Sequence, residues 1–224
     1  MNDARTWAAG AAGHQFTDGH LLEAALTHRS ASGPHNERLE FLGDAVLGVV
    51  IAEALFLARP DAPEGDLSRL RASLVRKQTL AEIALELGIG PYIQLGPGEL
   101  KTGGHRRESI LADATEALIG AVYLDAGFSA ARDMVLRLYA TRLQALPSPD
   151  ELKDPKTRLQ EWLQGQGRAL PEYVVLEVTG EAHRQEFTVA CRLPDTGHES
   201  IAAGRSRRKA EQAAATSMLE DLRD

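Results

Sequence analysis

From Leu21 to about Leu146 the apolar residues recur mostly three and four positions apart, the period of helices that each bury one face. Breaks fall at "SGP", "RPDAPEGD", "GIGPYIQLGPGELKTGGHRR" and "DAGF", where glycine and proline interrupt any regular element. The spacing predicts helices over roughly 21–28, 36–57, 64–87, 109–125 and 130–145, and so an all-helical region. The stretch "ALPSPDELKDP" then mixes proline with charge and has no apolar period, which predicts a linker near residues 147–153. Beyond it the pattern changes to a helix "PKTRLQEWLQGQG", three strand-like runs "EYVVLEV", "QEFTVACRL" and "ESIAAG", and a last helix "RSRRKAEQAAATSMLEDL". This is an α-β-β-β-α module of about seventy residues, small but able to fold independently. No internal repeat or low-complexity tract is present.

Two acidic sets stand out against this apolar background. In "NERLEFLGD", Glu37, Glu40 and Asp44 fall at i, i+3 and i+7, which stacks them on one helical face. Like charges so placed repel by roughly 0.2–0.5 kcal/mol per pair on an exposed helix, and by more where water is excluded. In "RRESILADATEALIGAVYLDAG", Asp113 and Glu116 are three apart among Ile110, Leu111, Ala114, Ala117, Leu118 and Ile119. Neither set alternates with lysines that would neutralise it. If the two helices pack side by side, Glu40, Asp44, Asp113 and Glu116 converge into an all-oxygen cage suited to a hard cation such as Mg²⁺. The plainer alternative is two separate solvated faces. Zinc is disfavoured, since no Cys or His stands at ligand spacing.

Other polar residues have two readings each. Glu64 completes a capping-box spacing with Asp61 as N-cap and Pro63 in the first turn, or it is a further acid near the cage. The glycine-rich "LGPGELKTGGH" lacks the nucleotide-loop arrangement and reads as a loop, in which Lys101, Arg106 and Arg107 either meet phosphate or are solvated. His28 and His35 have no evident partners and are expected to cap or pack.

Composition bounds these readings. With 224 residues and 43% hydrophobic content, the chain can bury one large core or a medium and a small one. The single Cys191 excludes an intrachain disulfide and a thiolate metal cluster, and suits a reducing compartment. The N-terminus carries an early acid and no apolar run of signal-peptide length, and "AVLGVVIAEALFLA" is interrupted by Glu53 and short for a membrane span, so a soluble, cytoplasmic protein is expected. A net charge of −7 argues mildly against a nucleic-acid partner, but it is an average over the chain. Arg205, Arg207, Arg208 and Lys209 gather at the start of the last helix, where cations oppose the helix dipole unless an anion compensates. A solvated face is the other reading of that run.

Three stretches carry a family resemblance. "LTHRSASGPHNERLEFLGDAVL" resembles the signature of bacterial ribonuclease III, and "GELKTGGHRRESILADATEALIGAVYLD" is similar to that family's second acidic motif. The tail, "DPKTRLQEWLQGQG" through "AGRSRRKAEQAAA", resembles its double-stranded-RNA-binding domain, so the likeness spans nearly the whole chain in the family's order. The resemblance implies an all-α endonuclease and dimerisation domain over residues 1–147, a linker over 148–153 and an α+β double-stranded-RNA-binding domain over 154–224. It implies Mg²⁺-dependent cleavage of duplex RNA, with Mn²⁺ as a substitute, to 5′-phosphate and 3′-hydroxyl ends with short 3′ overhangs. The implied setting is the processing of ribosomal-RNA precursors and messages and RNA decay.

Carried over by motif position, Glu40, Asp44, Asp113 and Glu116 are the metal acids, with Asp44 and Glu116 the essential catalytic groups. Glu37 and Glu64 match outer acids that engage substrate or water. Phe41 matches an aromatic of the homodimer interface, an ordinary core position being the default for a lone Phe. The metal relieves the repulsion between the acids, activates water and steadies the leaving 3′ oxygen, with two ions per cut implied and no general-base histidine required. In the second domain, Thr157, Gln160, Glu161 and His183 match sugar and base-edge contacts in two minor grooves, and Arg205, Ser206, Arg207, Arg208 and Lys209 match phosphate contacts across the major groove between them. Few of these contacts need be basic, which weakens the objection from net charge. Ala202 departs from the glycine that many such domains carry before the basic turn. A rival reading, a non-cleaving duplex-RNA binder whose helical domain only dimerises, is opposed by the intact acids.

Overall fold

The computed structural model describes residues 2–148, 151, 153–181 and 183–222. Residues 149, 150 and 152 of the expected linker, and Ala182 of the "GEAH" turn, lie outside them. The chain divides into two compact units, Met1–Pro147 and Ser148–Asp224.

The first unit is helical: α1 Asn2–Trp7 running into a π-helical turn Ala8–Ala12, α2 Gly19–Ala25, α3 Glu37–Ala58, α4 Glu64–Val75, α5 Lys77–Leu87, α6 Pro97–Lys101, α7 Glu108–Leu138 and α8 Ala140–Gln144. Its centre is α3 against α7, with α2 and α5 packed on α7. Leu47, Val50, Ile51 and Leu55 of α3 and Leu111, Ala114, Leu118, Ile119 and Val122 of α7 are buried, as the three-and-four spacing requires. By length and composition alone α3 would cross a membrane. Its inner face instead forms the core of this unit.

Three local expectations need correction. The helix expected over 64–87 breaks at Arg76, whose backbone is extended (φ −66°, ψ 152°). The Thr79 hydroxyl donates to the Ser73 carbonyl across the break (2.9 Å), which satisfies an end of α4 that apolar periodicity cannot reveal. Asp61 does not cap α4: the helix starts at Glu64 directly after an extended Pro63, and the Glu64 carboxylate accepts from the Ser68 hydroxyl at 2.6 Å. The "DAGF" break is a bend inside α7, at Gly127 (φ 83°, ψ 179°), a conformation open essentially to glycine alone.

The N-terminal segment is fastened to this frame. The Asp125 carboxylate accepts from the backbone amides of Thr17 (3.0 Å) and Asp18 (2.8 Å) and pairs with His14 at 2.7 Å. Trp7 donates from Nε1 to the Leu87 carbonyl (2.7 Å) and stacks on Tyr92.

The second unit is α9 Pro155–Gly165, β1 Glu172–Thr179, β2 Glu186–Arg192, β3 Glu199–Gly204 and α10 Arg207–Asp221. The strands form one antiparallel sheet in the order β1-β2-β3. Asp154 starts α9 by accepting from the Thr157 amide with Pro155 in the first turn, and Ser206 starts α10 by accepting from the Lys209 amide. The register aligns Tyr173, Cys191 and Ser200 across the sheet, and Leu159, Leu163, Ala214, Ala215 and Met218 of the two helices pack against that face. Ala202 lies within β3 opposite Val189 and packs on the core. The close approach to α10 is made two residues later, at Gly204, where a Cβ would stand 2.6 Å from the Ala210 nitrogen. The glycine absent at 202 is therefore not needed for that turn.

Candidate metal centre and nucleic-acid interface

Glu40 lies in the first turn of α3, and Asp113 and Glu116 lie one turn apart near the start of α7. All three are half-buried, and one carboxylate oxygen from each lies within 4.8 Å of the others. One acid of the first set thus meets both acids of the second. Glu116 is pushed up to about 8 by burial first and then by Asp44, Glu40 and Asp113, against a smaller opposing effect of Lys77. Glu40 is also raised, by burial and by Asp113. Lys77, at the start of α5, reaches Asp113 at 3.5 Å and offsets only part of this charge. Crowded, partly desolvated carboxylates without thiolate or imidazole among them form a donor set that fits a hard divalent cation.

Asp44, one turn beyond Glu40, is exposed and outside the close trio, yet among neighbouring charges it is the strongest influence on Glu116. Glu37 lines the same groove but turns to Arg29 (3.1 Å) and His35 (3.6 Å). Glu64 bonds Ser68 and is not part of the trio. Phe41 is 80% exposed, so the ordinary core reading fails for it. His28 pairs with Ser30 at 2.8 Å, and Arg107 is held by Glu99 at 2.7 Å, while Lys101 and Arg106 are exposed.

Cations that the sequence reading missed line the groove beside the acids: Arg29 and Lys77. Lys77 is 36 residues from Asp113 in the chain, so no spacing rule could have paired them. Asn36 is buried at the N-cap of α3, makes no capping bond with its side chain, and leaves Nδ2 without a partner among the described residues.

In the second unit, α9 and the N-terminus of α10 carry the expected RNA-facing residues. Thr157 is engaged by Asp154, whose carboxylate accepts from its hydroxyl at 3.0 Å, and Gln160 is exposed. Glu161 pairs with Lys153 at 2.5 Å. His183 is exposed on the β1–β2 turn, and a groove runs from it past Arg184 and Gln185 to Arg205 and Ser206. The basic run is not uniform. Arg207 is bonded to Glu211 at 2.8 Å, a carboxylate that also takes Lys156 at 2.6 Å, whereas Arg205, Arg208 and Lys209 are exposed with no ion pair among the described residues. No acid occupies the first turn of α10.

An acidic centre between two packed helices and a separate α-β-β-β-α unit with cations at a helix N-terminus are the parts expected of a two-domain nuclease acting on duplex RNA. Comparison with known proteins agrees. A family described as Ribonuclease-III-like matches residues 18–143, and the Double-stranded RNA binding motif matches residues 155–222. The chain is similar to ribonuclease 3 of Alkalilimnicola ehrlichii, with 59% identity over 95% of this chain and 93% of that one. It is similar as well to ribonuclease 3 of Shewanella amazonensis, with 60% identity over 94% and 93% respectively. Among solved structures, the nuclease domain of ribonuclease III from Campylobacter jejuni matches with 46% identity and a TM-score of 0.59, covering 60% of this chain and 95% of that one. The chain belongs to the ribonuclease III family of double-strand-specific endoribonucleases.

Proposed function

We propose that the chain cleaves double-stranded RNA with Mg²⁺ held by Glu40, Asp44, Asp113 and Glu116, of which Glu40, Asp113 and Glu116 already converge, leaving 5′-phosphate and 3′-hydroxyl ends with short 3′ overhangs. The observation that carries this is the convergence of those three carboxylates within 4.8 Å, from two helices, with Glu116 raised to about 8. Groups so crowded are poised for a cation. When bound, Mg²⁺ supplies the charge that offsets the acids and the phosphate, acidifies an attacking water and steadies the leaving 3′ oxygen. Mn²⁺, which takes similar ligands, is the expected substitute.

In this reading Asp44 and Glu116 are the essential catalytic pair, Asp44 reinforcing the negative field that makes Glu116 a strong ligand once deprotonated. Glu37 and Glu64 orient water or substrate from outside the trio. Arg29 and Lys77 balance the acids where RNA phosphates would enter. Residues 1–147 form the catalytic and dimerisation domain, 148–153 the linker and 154–224 the RNA-binding domain.

Binding of the duplex falls to the second domain: Thr157, Gln160, Glu161 and His183 meet sugars and base edges, and Arg205, Ser206, Arg207, Arg208 and Lys209 meet phosphates, recognition resting on A-form shape. Homodimerisation through the first domain is supported by the outer face of α3, where Phe41 (80% exposed), Val49 (58%) and Phe56 (67%) leave an apolar stripe uncovered. The solved Campylobacter jejuni nuclease domain is itself described as having a region involved in dimer formation. A soluble, cytoplasmic enzyme of ribosomal- and messenger-RNA processing and decay follows from this reading. The test is incubation with a long RNA duplex, the equivalent DNA duplex and single-stranded RNA, each with Mg²⁺ or with EDTA. Cutting of the RNA duplex alone, and only with metal, is expected; cutting in EDTA would defeat the proposal.

A further inference from the structure

Two glycines lie at the contact between α3 and α7. Gly43 of α3 and Gly120 of α7 face each other where the helices cross. A Cβ on Gly43 would stand 1.8 Å from the Glu116 carbonyl oxygen and 3.0 Å from the Gly120 nitrogen. A Cβ on Gly120 would stand 2.3 Å from the Leu39 carbonyl oxygen and 3.1 Å from the Gly43 nitrogen. These obstacles are backbone atoms, so no side chain can swing aside to relieve them. Glycine is otherwise disfavoured inside a helix, and both positions have ordinary helical backbone, so conformational freedom does not explain them. Close approach does.

The crossing lies in the middle of the acidic set. Glu40 is one turn before Gly43 and Asp44 directly follows it, while Glu116 is one turn and Asp113 two turns before Gly120. Glu40 on α3 and the pair Asp113 and Glu116 on α7 are crowded beside this backbone contact, with Lys77 next to them.

We propose that the Gly43–Gly120 crossing is the positioning device that sets the carboxylate spacing, and through it selects a small divalent cation over a large one; this rests on reading the trio as a metal site. Mg²⁺ demands a near-ideal octahedron at about 2.0–2.1 Å, whereas Ca²⁺ accepts irregular shells at about 2.3–2.6 Å. A spacing fixed by backbone contact favours the first ion. A spacing that relaxes favours the second.

The test is calorimetric titration of the full-length chain with Mg²⁺ and with Ca²⁺, without RNA, with folding checked by circular dichroism. Gly120→Ala, which wedges the helices apart, is expected to weaken Mg²⁺ binding by about tenfold or more while changing Ca²⁺ binding by less than about threefold. Adding Asp113→Glu to that variant lengthens one arm and is expected to restore part of the Mg²⁺ affinity. Asp113→Glu alone leaves the crossing intact and serves if Gly120→Ala does not fold. In that fixed frame the longer arm is expected to cost Mg²⁺ affinity more than Ca²⁺ affinity. Unchanged Mg²⁺ affinity in folded Gly120→Ala or in Asp113→Glu, or equal losses for both ions, overturns the role of the crossing. A wild-type chain that binds neither ion overturns the metal reading itself, which is a separate result.

Discussion

Glu116 concentrates the chemistry of the site in one ionisation. Burial and the neighbouring acids raise its carboxyl to about 8, so without a cation it is largely protonated at neutral pH. A ligand must be deprotonated, so Mg²⁺ binding should release a proton near pH 7 and tighten as pH rises toward 8. Titration in two buffers of different ionisation enthalpy measures that release; identical heats in both would contradict it. The same shift has a stability consequence. A carboxyl that is harder to ionise in the folded chain favours folding below its unfolded value of about 4.5, and that contribution is lost as pH rises through about 8. The melting temperature of the metal-free protein should therefore fall from about pH 5 to about pH 8 and level off above that, and Mg²⁺ should recover it. Glu116→Gln removes the ligand charge while keeping the shape. We expect it to bind duplex RNA with Ca²⁺ or without metal and to lose cleavage by at least ~10²-fold, the order reached when one electrostatic partner of a transition state is removed. Gel-shift and cleavage assays on the same preparation separate the two effects.

At the scale of elements, the bent α7 joins the metal centre to the fastening of the N-terminal segment. Burial would raise the Asp125 carboxyl, but the Asp18 and Thr17 amides and His14 outweigh it and hold the group below the usual carboxylate range. Its contribution to stability is present above about pH 4 and is lost as pH falls further. Asp125→Ala removes the acceptor shared by these donors and should cost roughly 1 kcal/mol in denaturant unfolding, with little effect on metal binding. Little of this fastening is legible in the sequence, because His14, Thr17 and Asp18 meet Asp125 across more than 100 residues. The long helices are legible, since α3 and α7 bury faces with the expected period. The α4–α5 break is not: residues 64–87 keep an apolar period straight through Arg76, and the change of direction is marked by its extended backbone and the Thr79–Ser73 bond. For the site, helical spacing puts Glu40 and Asp44 on one face and Asp113 and Glu116 on another, but it cannot show that the faces meet. That depends on Gly43 and Gly120, whose function is visible only once both helices are in place.

For the whole molecule, the question is how a chain of net charge −7 holds a polyanion. The charge is divided: the acids at the metal centre serve a cation, whereas the cations of the second unit gather in and just before the first turn of α10, where free backbone amides add to them. If that helix end is the anchor, removal of residues 148–224 should weaken duplex binding strongly while leaving residual cleavage at low salt and high Mg²⁺. The individual side chains should not contribute equally. Arg207 is tied to the buried Glu211, so part of its charge is already answered, and its loss also leaves Glu211 with Lys156 as its remaining cation. Arg205, Arg208 and Lys209 carry no such tie among the described residues and are exposed. Removing a side chain that neutralises one phosphate should lower the slope of log affinity against log salt by about 1. Arg205→Ala, Arg208→Ala and Lys209→Ala should therefore each flatten the salt dependence, whereas Arg207→Ala should act more through stability than through the slope. Binding isotherms over a salt series, with thermal melts of each variant, distinguish the two. A slope unaltered by the combined Arg205, Arg208 and Lys209 substitutions would move the phosphate-binding surface to another face of the domain, leaving the metal centre as assigned and the anchor still to be located.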